Sequence, residues 1–181
     1  MCGFAGFVGE VENREQVLEN MIDTIIHRGP DSSGKFVDED AALGFRRLSI
    51  IDLSESGDQP LYNEDRSKVL VFNGEIYNYQ ELREELIQAG HTFVSNTDSE
   101  TLIHGYEQWG EELVYRLRGM YAFAIWDQKA KRLFSARDIF GIKPLYYAQM
   151  NGTLMFGSEI KSFLEHPKFD KVFNEDALGN Y

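Results

Sequence analysis

The sequence predicts an α+β fold whose consecutive strands pair antiparallel. Two observations carry this. Short apolar runs recur along the chain, at residues 3–9, 41–48, 69–72, 120–126, 133–136, 145–148 and 154–156, with only a few helical segments among them. Several of these runs are joined by tight polar turns, such as Asp38-Glu39-Asp40 and Asn151-Gly152, which suit hairpins rather than the helical crossovers of a parallel sheet.

Each element has its own signal. Residues 3–9 read as a strand whose small side chains allow close backbone approach. Asn13-Arg14-Glu15-Gln16 has the form of a capped helix start, and Val17, Met21, Ile22 and Ile25 follow at helical spacing. Gly29 and Pro30 end that helix. Phe36-Val37 and residues 41–48 form the next hairpin, and Arg47-Leu48-Ser49-Ile50-Ile51-Asp52 continues the second strand into a loop over 54–61. Val69-Leu70-Val71-Phe72 is a short strand running into Asn73-Gly74, a tight-turn pair. Residues 78–89 carry Leu82, Leu86 and Ile87 on a helix with Gly90 as its C-terminal cap. Thr92-Phe93-Val94 is a short strand, and Thr97-Asp98-Ser99-Glu100 a capping box opening a helix to Trp109. A short helix over 111–117, four strands over 120–156 and a last helix over 158–164 complete the chain.

The formal net charge of −12 makes nucleic acid or an anionic membrane a poor partner. Apolar residues make up 43% of the 181, enough for the core of one domain. No apolar run approaches a membrane-spanning length, and no signal peptide is present. One cysteine rules out an internal disulfide, so a cytoplasmic location is the expectation. Residues 1–181 are expected to form one domain, cut from a longer chain.

Cys2 is that one cysteine. A lone cysteine is usually a small buried hydrophobe. Here it precedes a strand that would tie the N-terminus into the core, and removal of Met1 would give it a free α-amine. An amine with a reference pKa of roughly 7.7–8.0 can serve the thiol as a base. Asn73-Gly74 needs no role beyond its turn, yet a side-chain amide beside an exposed backbone N–H offers two donors to a developing oxyanion. Arg47 at a strand end is either a surface arginine or a planar fork for a carboxylate, while Arg46 points to the other face. Asp98 in the first turn of a helix either meets the helix dipole or awaits an ammonium group. Arg47 and Asp98 together could grip both charged ends of a free α-amino acid. His27, His91, His104 and His166 are scattered and form no metal set, and no phosphate-cradling glycine loop is present.

Taken together, Met1-Cys2-Gly3, His27-Arg28-Gly29-Pro30-Asp31, the segment Arg47 to Asp52, Asn73-Gly74-Glu75-Ile76-Tyr77-Asn78, Asp98-Ser99-Glu100 and Arg137-Asp138-x-x-Gly141-x-Lys143-Pro144-Leu145-Tyr146 resemble the class II glutamine amidotransferase domain. More narrowly, they resemble the N-terminal glutaminase domain of glutamine-hydrolysing asparagine synthetases. The resemblance covers essentially the whole chain. It implies the N-terminal nucleophile hydrolase fold, a four-layer αββα sandwich of two antiparallel sheets between helices. It implies hydrolysis of L-glutamine to glutamate and ammonia, with Cys2 as nucleophile and Asn73 and Gly74 as the oxyanion hole. Arg47 would hold the substrate carboxylate and Asp98 its ammonium, with Leu48 and main-chain groups around Ile50 and Glu75 lining the pocket. No cofactor or metal is expected in this domain. ATP and Mg2+ are expected in a C-terminal synthetase domain, which would amidate aspartate and is absent after Tyr181. A glutaminase domain of another class II amidotransferase, or an inert glutamine-binding or interaction module, are the alternatives. The sequence leaves the oligomeric state open, a homodimer included.

Overall fold

Strand alternation sorts the apolar residues of this protein into three separate cores, and three cores require four layers. The computed structural model describes residues 2–48 and 58–172. Strands β1 (Gly3–Val8), β2 (Ser32–Val37), β3 (Ala41–Arg47), β8 (Tyr146–Met150) and β9 (Thr153–Gly157) form one antiparallel sheet in the order β2-β3-β1-β9-β8. Strands β4 (Leu61–Tyr62), β5 (Lys68–Ile76), β6 (Gly119–Asp127) and β7 (Arg132–Arg137) form a second, in the order β4-β5-β6-β7. Helix α1 (Arg14–Asp23) covers the first sheet, and α2 (Tyr79–Gln88) and α3 (Asp98–Trp109) cover the second.

On β5, Val69 and Val71 face the other sheet while Leu70, Phe72 and Ile76 face the helices, as a period of two requires. The inter-sheet core joins them to Phe4, Ala41, Leu43, Phe45, Trp126 and Phe156. Ala5, Phe7 and Met155 pack outward against Leu18, Met21 and Ile22 of α1. Each fully buried aliphatic or aromatic side chain here contributes about 1.5–3 kcal/mol. The Trp126 indole N–H donates to Asp38 Oδ2 at 2.7 Å, tying the second sheet to the β2–β3 turn.

Several local expectations change. Asn73-Gly74 is not a turn: both residues lie inside β5, opposite Ala122 and Tyr121, because the long partner β6 extends the ladder past them. Thr92-Phe93-Val94 is not a strand. Its Val94 N–H donates to Glu100 Oε1 instead of a ladder. Neither helix start uses the expected box. Asn13 sits in the left-handed region with no side-chain cap, and Gln16 reaches Asn20. Glu100 accepts from Val94 and Ser95 rather than serving Thr97. The segments expected to be helical near 111–117 and 158–164 are 3-10 turns, Gly110–Tyr115 and Ile160–Glu165. Gly90 does cap α2, at φ 102°, with its N–H on Ile87 O and the His91 N–H on Leu86 O. Ile87, expected on the apolar face, is exposed. Ser49 to Asp52 and residues 54–57 of the expected loop over 54–61 lie outside the described residues.

Candidate active site

The inter-sheet faces of three strands end in polar groups. On β3 the inward series Ala41, Leu43, Phe45 continues to Arg47, which is buried. On β5 the series Val69, Val71 continues to Asn73, also buried. On β1 Phe4 faces the same core, and Cys2, two residues before it, packs against that core too. Thiol, guanidinium and carboxamide therefore belong to one interior layer, with no side chain obliged to reverse the strand pattern.

The Leu48 N–H donates to Cys2 Sγ at 3.4 Å, which ties the thiol to the residue after Arg47. The Arg28 guanidinium donates to the Cys2 carbonyl at 3.0 Å and to Glu159 Oε1 at 3.1 Å. Burial pushes the Glu159 carboxyl up, but hydrogen bonds from His27, Arg28 and Lys161 hold it below the usual range. Gly29 lies on β3 so closely that a Cβ there would stand 2.4 Å from the Arg46 carbonyl carbon. The next turn of the strap is fixed by the Asp31 N–H on Arg47 O at 3.1 Å. The segment His27 to Asp31 thus straps the N-terminus to the end of β3.

Arg47 reaches Asp58 Oδ1 through Nη1 at 2.7 Å. The neighbouring Gln59 takes both main-chain groups of Phe72: its amide donates to Phe72 O at 3.2 Å, and the Phe72 N–H donates to its Oε1 at 2.6 Å. Both groups of Phe72 therefore point to the outer edge of β5. The same holds for Ile76, whose N–H donates to Asp98 Oδ2 at 2.8 Å. Gly74 lies between them. Its cross-strand partner Tyr121 spends its N–H and carbonyl on Asp138, on the β7 side. Gly74 therefore turns its own N–H away from β6 to that outer edge. Strand β4 pairs only with Val69 and Leu70, so among the described residues no strand covers the edge at Gly74. Roughly 7 Å of strand separates the Gly74 and Ile76 amides.

Asn73 Nδ2 is buried and has no hydrogen-bond partner among the described residues. Such a donor is costly to leave unmet, and it marks a position shaped for something else. Asp98 is the first residue of α3. Burial pushes its carboxyl above the usual range and the nearby Glu75 adds to this, against the main-chain N–H groups of Ile76 and Ser99. A desolvated carboxylate of this kind favours a cationic partner.

Cys2 thus touches Leu48, strand alternation puts Arg47 and Asn73 on the same inter-sheet layer, and Asp98 holds the main chain of β5 two residues beyond Gly74. Glu75 is exposed beside them, and Ile50 lies outside the described residues. Arg46 does leave on the other face, donating to Ile22 O and pairing with Asp23 on α1. Sequence reasoning missed Asp58 and Gln59, single polar residues in a loop without local pattern. Arg28 stood in a noted motif, but nothing in the text gave its contact with Cys2. Asp138 is buried as the hub of its own motif. Burial pushes its carboxyl up, yet the N–H groups of Lys143, Ile142, Tyr121 and Phe140 hold it below the usual range. The histidines are not all scattered: the rings of His91 and His104 lie 5.2 Å apart.

The family model described as a glutamine amidotransferase domain matches residues 1–181. Asparagine synthetase (glutamine-hydrolyzing) 1 of Bacillus subtilis strain 168 is 47% identical over the whole chain, which covers 29% of that protein. The second such enzyme of that organism is 44% identical over 99% of the chain and 24% of its own length. The Zea mays asparagine synthetase (glutamine-hydrolyzing) is 44% identical over 90% of the chain and 28% of its own. The chain thus spans under a third of the length of these relatives. Among solved structures, glutamine phosphoribosylpyrophosphate amidotransferase from B. subtilis superposes with a TM-score of 0.76 at 23% identity, covering 90% of this chain and 43% of that one. An allosteric regulatory enzyme of purine biosynthesis gives 0.78 at 22% identity, covering 91% and 43%. That likeness bears on the fold alone, and it agrees with two antiparallel sheets between helix layers. With the whole chain matched by one family model, this protein belongs to the glutamine amidotransferase domain family.

Proposed function

We propose that the domain hydrolyses L-glutamine to glutamate and ammonia through a glutamyl thioester on Cys2. The observation that carries this is the buried amide of Asn73, without a partner among the described residues, which ends the same inter-sheet layer as the Cys2 thiol. After Met1 is removed, the Cys2 α-amine takes the thiol proton and the thiolate sulfur attacks the side-chain carbonyl carbon of glutamine. The carbonyl π electrons move to oxygen, and the oxyanion rests on Asn73 Nδ2 and the Gly74 N–H. The amine returns its proton to the leaving nitrogen, the C–N bond breaks, and ammonia departs. Water then attacks the thioester, giving its proton to the same amine, and glutamate leaves as the sulfur is released. Arg47 holds the substrate carboxylate with a planar fork, and Asp98 the ammonium. Leu48 and Glu75 line the pocket.

The domain is proposed to supply ammonia to a C-terminal synthetase domain that uses ATP and Mg2+ to convert aspartate to asparagine, in the cytoplasm. Two observations support this: the curated relatives are three to four times longer, and Ile139, Phe140, Ile142 and Tyr147, close together in the sequence, are exposed apolar residues that a second domain would cover. Among the described residues no helix is long and apolar enough to cross a membrane. The test is covalent trapping with an electrophilic diazoketone analogue of glutamine, followed by peptide mapping and N-terminal mass measurement. A single label on Cys2 of chains that have lost Met1 is expected. A label elsewhere, or labelling of chains that keep Met1, overturns the assignment.

A further inference from the structure

Outside the active site, donor atoms from three segments converge where the exit of α2 meets α3. His91, His104 and Glu107 each offer a ligand atom within 4.8 Å of the other two. His104 Nδ1 lies 3.1 Å from Glu107 Oε2, and His91 Nδ1 lies 3.8 Å from that same oxygen. Glu64, from the loop after β4, brings Oε1 to 3.8 Å from His104 Nδ1. Donors around a tetrahedral zinc ion stand roughly 3.4 Å apart, given bonds of about 2.0–2.2 Å. The observed separations straddle that value.

The far side of each ligand is also held. Gln108 Oε1 meets His91 Nε2 at 3.1 Å, Glu100 Oε1 lies 3.6 Å from His104 Nε2, and the Asn63 amide donates to Glu107 Oε1 at 2.7 Å. With a cation bound, Nε2 of each ring would donate outward to these neighbours and leave Nδ1 to face the ion. Glu64, Glu100 and Glu107 outnumber two described cations near them: Lys68, whose Nζ is 3.9 Å from Glu107 and 3.8 Å from Asp127, and Lys129, which also feels Glu107. With both imidazoles neutral the cluster carries surplus negative charge, which a divalent cation would offset. His104 is buried while Glu64 is half exposed, so the cluster is open on the Glu64 side.

We propose that His91, His104 and Glu107, with Glu64 as the fourth ligand, form a structural zinc site. Zinc there ties the exit of α2 and the loop after β4 to α3, the helix that begins with Asp98. The ion competes with a proton. Affinity therefore falls as the pH falls.

The test is calorimetric titration with Zn2+ on the Cys2→Ala variant, which removes the competing thiol. It is paired with the visible spectrum of the Co2+ form and with Tm. One Zn2+ per chain is expected, with intense tetrahedral Co2+ bands, tighter binding at pH 8 than at pH 6, and a Tm raised by the metal. His91→Ala, at a partly exposed position, should weaken binding at least about tenfold and abolish the Tm shift. Absence of saturable binding, a weak octahedral Co2+ spectrum, or unchanged affinity in His91→Ala overturns the proposal. None of these readouts depends on glutaminase turnover.

Discussion

Replacing Asn73 by leucine should move activity and stability in opposite directions. Leucine is close to asparagine in shape and lacks the Nδ2 donor, which is buried without a partner among the described residues. A buried unmet donor costs about 1–3 kcal/mol, and an apolar residue of similar shape removes that cost. Allowing about half for imperfect fit leaves a gain of about 1 kcal/mol, or roughly 2–4 °C in Tm for a chain of this size. The same donor is proposed to meet the oxyanion, and losing one such donor lowers kcat by about 10²–10³, or about 2.7–4 kcal/mol. Because the interaction develops mainly in the transition state, KM should stay within about twofold. The assay is steady-state glutamate release beside thermal unfolding, with N-terminal mass confirming Met1 loss in both proteins. A fall in kcat of less than about fivefold would remove Asn73 from the oxyanion hole. A Tm lowered by several degrees would show that its amide has a native partner after all.

Two further outcomes follow from other groups. Glutamine binding to Cys2→Ala, measured by calorimetry, should weaken roughly 10- to 100-fold on Asp98→Asn, since a charge-assisted contact is lost while the Ile76 N–H keeps an acceptor. Asp98 must be ionised to hold an ammonium, and its carboxyl is raised, so affinity should fall with pH above the ordinary Asp range and lose that dependence in Asp98→Asn; equal affinity in the two proteins would refute the role. Two histidines should bound metal-free stability from opposite sides. Burial, aided by Lys168, lowers His166 to about 4, so its contribution is whole above the unfolded value of 6.5 and is lost as pH falls towards 4. Despite its burial, His104 is raised to about 9 by Glu100 and Glu107, so its contribution is whole below 6.5 and is lost as pH rises through 9. Tm against pH in chelator should decline on both sides of about 6.5. The decline between pH 6.5 and 5 should flatten in His166→Phe, and the alkaline one in His104→Gln; unchanged limbs would refute the assignments.

Much of the chain was legible because its signals are short in range. Continuous apolar runs named β1, β3 and β6, and Gly90 marked the end of α2 through a backbone preference of its own. The failures share a cause. Asn73-Gly74 carries turn chemistry, but a ladder to β6 is worth more than a local preference, so the pair lies in mid-strand. Thr92 to Val94 has strand composition, yet no neighbour offers it an edge, and Glu100 takes the Val94 amide instead.

By itself the sequence determined the layered antiparallel class and the residue types the chemistry needs: a thiol near the N-terminus, an amide, an arginine and an acid. Only tertiary structure decided that Cys2, Arg47 and Asn73 share one interior layer, that Gln59 and Asp98 flank the Gly74 N–H on one strand edge, and that His91 and His104 are neighbours. Spacing along a chain reports which face of one element a side chain takes. Which elements then meet is set by burial of whole faces and by cross-strand register, and these are properties of distant segments acting together.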